Sequence, residues 1–252
     1  MYFCVFKIIV KLQSNLVNMR KLYIVLLTLF LSPLIYSQTW FEAGFRGGPT
    51  TTFLTNKNLF DDTGYDHVFT PSYFYAGKIG INFGEENGVA INIGGSQVHQ
   101  RFVNNYEERI FNQRSFKANT FDVGILYHRT KASGYFEAGP KISMINSGQT
   151  EDDNTHSIDV KNQLKSTMVG MDLGFGSYVI GSERLALITG FRLSYGFSPL
   201  MDNEMVVAPH NANYDNSRGV HVFALMFSAE INYSLGYLVR ASCGKRTAWI
   251  SF

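Results

Sequence analysis

The sequence predicts an all-β chain, an eight-stranded antiparallel up-and-down transmembrane β-barrel. Three observations predict it. Dyad-alternating segments recur from Trp40 onward, their non-greasy faces carry glycine and charge, and their connections are alternately short and long. Residues 185–197 show the pattern best: Leu185, Leu187, Thr189, Phe191, Leu193, Tyr195 and Phe197 fall on one face, and Ala186, Ile188, Gly190, Arg192, Ser194 and Gly196 on the other. Successive strand side chains point to opposite faces, so this is a ribbon with one apolar and one small or polar side. A barrel that is apolar toward lipid and polar toward a narrow lumen has this polarity. One such segment is a weak signal; repetition makes it persuasive.

The first strand covers 41–47, with Phe41, Ala43 and Phe45 outward and Glu42, Gly44 and Arg46 inward. After a polar stretch (55–70), the second, 73–83, turns Tyr73, Tyr75, Ile79, Ile81 and Phe83 out and Lys78, Gly80 and Asn82 in. Asn87-Gly88 closes a tight turn, since this pair readily adopts the positive φ of a hairpin. The third strand carries Val89, Ile91 and Ile93 outward, and the fourth ends in Phe121, Val123, Ile125 and Tyr127. A turn at 131–134 leads to the fifth, marked by Phe136, Ala138, Ile142 and Met144. Pro140 lies inside it; proline removes a ladder donor, so a bulge is expected there. A long hydrophilic stretch (146–165) precedes the sixth strand, where Val169, Met171, Leu173, Phe175 and Val179 alternate with Gly170, Asp172, Gly174 and Gly176. The seventh is described above. The longest connection, 198–218, leads to the eighth, with Phe223, Leu225, Phe227, Ala229, Ile231, Tyr233, Leu235 and Tyr237 outward and Ser228, Glu230, Asn232, Ser234 and Gly236 inward. Closing such strands into a ring satisfies every backbone donor and acceptor, which lipid requires. Phe41, Phe83, Tyr127, Tyr135 and Tyr237 at one rim and Tyr73, Tyr75, Tyr195 and Phe223 at the other fit interfacial aromatic girdles.

The formal charge of +2 over 252 residues offers no case for nucleic acid. Aromatics at 15% with 23 glycines and only 6 prolines suit strands and speak against disorder. Cys4 and Cys243 stand at opposite ends and have no metal-ligand spacing. Residues 1–37 read as an N-terminal extension plus a secretory signal. Met19-Arg20-Lys21 is a positive start, 22–34 is nearly all apolar, and Ile35-Tyr36-Ser37 offers a small residue before Gln38. The apolar run falls short of the about 20 residues needed to span a bilayer as a helix. The barrel occupies 38–237, and 238–252 is a C-terminal tail.

The signal ending Tyr36-Ser37-Gln38, the opening 41–48 (Phe-Glu-Ala-Gly-Phe-Arg-Gly-Gly) and the closing 231–237 (Ile-Asn-Tyr-Ser-Leu-Gly-Tyr) resemble small outer-membrane β-barrel proteins of the Bacteroidota. Their architecture is similar to the transmembrane domain of outer membrane protein A. The resemblance implies a location in the outer membrane, with that bilayer as the main partner, and it supplies no catalytic signature. Tyr237 resembles the terminal aromatic of such barrels, whereas the tail departs from the pattern. Tight turns are expected to face the periplasm and long loops the outside.

The inward faces carry Glu42, Asp122, Glu137, Asp172 and Glu230 against Arg46, Lys78, Lys141 and Arg192. Eight strands leave a lumen just wide enough to be filled by side chains. Unpaired charges there are costly, so near-equal numbers of each sign imply a paired network. A polar plug is preferred over a proton or ion path. Asp61, Asp62, Asp66 and His67, and again Glu151, Asp152, Asp153 and His156, have cation-ligand types but not calcium-loop spacing, so solvated loop charge is the expectation and no metal or cofactor is expected. Neither a Gly-x-Ser-x-Gly nor a His-Glu-x-x-His motif occurs. His128 and His221 lack the His-x-Ser pair of barrel deacylases, and no catalytic residue is assigned. The expected role is non-catalytic, structural or surface-interacting, with an envelope protein as a possible loop partner. The alternative is a narrow channel or a barrel subunit of a secretion or motility machine, as some relatives are.

Overall fold

A computed structural model describes residues 39–84, 86–105, 112–153, 157–182, 184–203, 207, 218–237 and 250–251. The proposed signal segment therefore lies outside the described residues, as do His156 and most of the C-terminal tail.

Eight strands form the wall: β1 Thr39–Thr55, β2 Pro71–Phe83, β3 Asn87–Asn104, β4 Gln113–Lys131, β5 Gly134–Asp152, β6 Thr167–Gly181, β7 Leu185–Gly196 and β8 His221–Tyr237. Each pairs antiparallel with its neighbours in sequence, and β8 returns to β1 (Arg46 opposite Glu230, Trp40 opposite Tyr237), so the sheet closes on itself. The turns at 84–86, 132–133 and 182–184 share one end, and the connections 56–70, 105–112, 153–166 and 197–220 share the other. The two short additions at the long-loop end are Tyr65–Val68, paired with the outer part of β3, and Ile158–Asp159, paired with β5. Ile250–Ser251 runs parallel to the tight-turn end of β6.

Alternation produces an apolar outer belt. Phe45, Ile79, Ile91, Ile125, Phe136, Phe175, Phe191, Ile231 and Leu235 are exposed, while their sequence neighbours face inward. That much exposed apolar surface is untenable in water and is what a bilayer contacts.

Toward the long-loop end, β3, β4 and β5 reverse this polarity, β3 and β4 without changing parity and β5 across an irregularity at Asn146. On β3 the outward side changes from Val89, Ile91 and Ile93 to Gln97, His99 and Arg101, while Val98 and Phe102 turn inward. On β4, Phe121 gives way to Asn119 and Lys117, with Phe116 and Ala118 inside. This upper wall stands clear of lipid and has an ordinary core. Leu54, Phe102, Phe116, Ile145, Met168 and Val222 from the wall close around Leu59, Tyr65, Val160, Leu200, Met201 and Val207 from the connections. The short helix α1, Lys57–Asp61, delivers Leu59; Asn56 caps it by accepting from the Leu59 N–H at 2.7 Å. These residues form an apolar cap at the long-loop end of the barrel.

Three expectations need correction. Pro140 produces no bulge: Lys141 opposite Gly124 and Ala138 opposite Tyr127 keep one register. Pro140 is exposed on the outer face, where the missing N–H interrupts β4–β5 pairing only locally. The irregularity in β5 falls at Asn146, between the pairs Asn119–Ser147 and Thr120–Ile145. Tyr135 does not belong to an aromatic girdle. It precedes outward Phe136, so it points inward and packs on Tyr178, Ala186 and Ile188. The hydrophilic stretch from 146 is strand as far as Asp152, because above the lipid an outward polar residue is no obstacle to β structure.

Candidate functional site

The predicted inward charges lie in the middle of the lumen, and the ring of strands brings eight of the nine into one chain of alternating sign. Lys78 Nζ lies 2.8 Å from Glu42 and 2.9 Å from Glu230. Arg46 bridges Glu230 at 2.8 Å and Glu137 at 2.7 Å. Arg192 joins Glu137 to Asp172, at 3.2 Å for the latter, and Asp172 ends on Lys141 at 3.3 Å. The order is therefore Glu42, Lys78, Glu230, Arg46, Glu137, Arg192, Asp172, Lys141. All eight are buried; Arg46 and Glu42 are only 1% exposed. Burial at this depth is tolerable only because each interior member faces two opposite charges.

Asp122 is the exception. It is half-buried and makes no ion pair within 4 Å among the described residues; Ser96 donates to its Oδ2 at 2.6 Å while Oδ1 has no partner. It lines the same cavity as Lys141, Asp172 and Arg192. Nearness to Lys141 without contact follows from the register, which places Gly124, not Asp122, opposite Lys141.

Glycine makes room for these long side chains. Glu42 lies opposite Gly80, Lys78 opposite Gly44, Asp122 opposite Gly94, Lys141 opposite Gly170, Asp172 opposite Gly139, and both Glu137 and Arg192 opposite Gly174. A Cβ on Gly174 would stand 2.5 Å from Glu137 Oε1 and 2.6 Å from its Cγ. In a lumen narrow enough to be filled by side chains, these glycines supply volume for the long charged groups beside them.

Neutral groups complete the network. Asn232 donates to Glu42 at 2.9 Å, Lys141 donates to Ser194 at 2.5 Å, and His128 Nε2 lies 2.6 Å from Asn82 Oδ1 and 3.7 Å from Glu42. Sequence reasoning left out His128, although outward Tyr127 beside it assigns it to the lumen by parity. Four of the loop acids are otherwise engaged. Asp62 accepts from the Gly64 N–H, Glu151 pairs with Lys117, Asp152 pairs with Arg114, and Asp153 accepts from the backbone of Asn112 and Gln113. Among the described residues no group of three or more His, Cys, Asp or Glu could hold a metal ion.

Chemically, the site neutralises itself. It draws on six of the eight strands and lies below the apolar cluster at the long-loop end.

Residues 36–202 match the family model described as outer membrane protein β-barrel domain. No curated protein matches the sequence. Among solved structures, the chain is similar to Neisserial surface protein A at 13% identity, covering 77% of this chain and 97% of that one with a TM-score of 0.34. It is also similar to Ail, the attachment invasion locus protein of Yersinia pestis (14%, 76% and 98%, TM-score 0.38), and to OprG from Pseudomonas aeruginosa (11%, 78% and 98%, TM-score 0.37).

Proposed function

This chain belongs to the family of outer membrane protein β-barrel domains, and from that premise we propose a non-catalytic, axially sealed barrel that anchors an interaction surface in the outer membrane. The lipid belt embeds it, and the family places it in the outer membrane. The observation that carries the reading is the double closure of the axis by a neutral ion-pair chain and by an apolar cap that the connections themselves build. A conduit for solute needs neither. The closed end carries the polar upper wall and the long connections, and these are the surface offered to an envelope protein partner. In this reading the chain is exported by its N-terminal signal, cut near Ser37, with the long connections outside and the tight turns in the periplasm.

Planar-bilayer recording of the purified protein tests it. The expected result is no steady conductance, and addition of Arg192→Ala protein should not produce any. A stable single-channel conductance from the parent protein, with ion selectivity altered in Arg192→Ala, would replace this role with that of a narrow channel.

A further inference from the structure

One cross-strand row in the lumen is built around a glycine. Asn92 of β3 stands opposite Gly124 of β4, and Gly124 stands opposite Lys141 of β5. With no side chain between them, Asn92 and Lys141 border a common cavity. Asp122, the next inward position of β4 toward the long-loop end, borders it too, as do Asp172 and Arg192. The cavity has a volume of about 30 Å³, room for about one water and too little for a larger ligand.

The polar groups around this space are short of partners. Asn92 is only 6% exposed, and neither its amide nitrogen nor its oxygen has a hydrogen-bond partner among the described residues. Asp122 Oδ1 is in the same condition. Lys141 meets Ser194 at 2.5 Å and Asp172 at 3.3 Å, and its ammonium has a third N–H to give. An amide left unpaired at this depth is costly, so folded proteins pair such groups with protein or with ordered water. The charges bordering the cavity already balance, Lys141 and Arg192 against Asp122 and Asp172. A further ion would upset that balance. What fits is a small neutral molecule that both donates and accepts.

We propose that this cavity is an internal-water site, and that its water links Asp122 and Asn92 to the ion-pair chain through Lys141. The water accepts from the Lys141 ammonium and from the Asn92 amide and donates to Asp122 Oδ1. Those are three bonds, the usual number for a buried water. The one lumen charge outside the ion-pair chain thereby joins it, and Gly124 is there because a side chain would take the water's place. The inference does not rest on the role proposed above, nor on whether the lumen conducts ions.

NMR of side-chain amides tests it. In the folded, isotope-labelled protein in detergent micelles, the Asn92 amide should show a cross-peak at the water frequency, of opposite sign in NOE and ROE spectra. That sign pattern marks a long-lived bound molecule and not proton exchange. Gly124→Ala should abolish the peak. A Cβ there would lie 3.4 Å from the Pro140 carbonyl oxygen and 3.9 Å from Lys141 Cβ, so the methyl fits and takes the water's space. The unfolding midpoint of this variant in urea should fall, because Asp122 and Asn92 lose their link. The Gln100 side-chain amide is the control: it is fully buried but donates to the Val68 and Arg101 carbonyls, and should show no such peak. Absence of the Asn92 peak in the parent protein overturns the proposal, whether or not the variant folds. So does a peak that survives Gly124→Ala, an equal peak at Gln100, or a midpoint that rises in Gly124→Ala, the sign of a methyl filling dry space.

Discussion

Arg46 is the central cation of the lumen, and its removal is the most direct test of whether the charges act as a unit. Its two nitrogens reach Glu137 at 2.7 Å and Glu230 at 2.8 Å, and it is 1% exposed. Breaking a buried pair by removing one partner costs about 3–5 kcal/mol, because the other charge stays buried and uncompensated. Here Glu137 keeps Arg192 and Glu230 keeps Lys78, which puts Arg46→Met near the lower end, ~3 kcal/mol. Adding Glu230→Gln removes one charge of each sign and leaves Lys78 with Glu42 and Arg192 with its two carboxylates. The double variant should therefore lose only ~1 kcal/mol, since apolar or neutral replacement of a buried pair is often nearly neutral. The readout is the urea dependence of the heat-modifiable gel shift for protein folded into phosphatidylcholine vesicles, run on both single variants and the double. If the losses of the two singles add to that of the double within about 0.5 kcal/mol, the sites are independent and the ion-pair chain is not a unit.

Arg placed on the outer face of β4 should report the polarity reversal. Ile125→Arg, in the lipid belt, should cost ~2–4 kcal/mol, and Asn119→Arg, on the same face above the belt, about 0–1 kcal/mol in the same vesicle unfolding assay; equal costs would show that the belt has been placed wrongly. Gly174→Ala should destabilise by ~1–3 kcal/mol through the clash with Glu137, measured in the same way. Burial raises the Asp153 carboxyl, but the hydrogen bonds it accepts, first those from the backbone N–H groups of Gln113 and Asn112, together outweigh it and hold the group below the usual carboxylate range. A depressed folded-state value means that its contribution is present above the unfolded-state pKa and is lost as pH falls through the folded one. Hydrogen exchange at the Asn112 and Gln113 amides should accordingly speed up in Asp153→Ala at pH 7, and the difference from the parent should vanish only in strong acid.

The membrane half of the molecule was legible because one rule governs it. Outward side chains meet lipid and inward ones meet a lumen, so counting by twos from Phe191 or Leu173 assigns Arg192 and Asp172 correctly. Which charges pair was not legible. Pairing depends on the stagger between strands, and the sequence contains no direct record of the register that sets Arg46 beside both Glu230 and Glu137. Tyr135 was misassigned by treating it as an aromatic at a strand end instead of applying the same parity. The upper wall was missed for a different reason. There the residues still alternate, but the two solvents have changed places, so Val98 and Phe102 read as breaks in the pattern when they are core.

That exchange of solvents also accounts for the two different fillings of the barrel interior. Inside the lipid belt the lumen is filled mainly by polar groups, with apolar ones such as Leu126 and Ile188 among them; buried charges there must neutralise one another, and glycines opposite them provide volume. Above the belt water surrounds the wall, so the apolar residues turn inward, and the connections, which must return to the wall in any case, contribute Leu59, Val160 and Leu200 to the core they create. The weakest place in such a design is where one regime gives way to the other. β2 stops pairing with β3 at that level, the hydroxyls of Ser72 and Thr52 stand in for the missing ladder, and the internal cavities lie directly behind them. A break in the β2–β3 ladder at that level is thus a consequence of joining two cores in one wall.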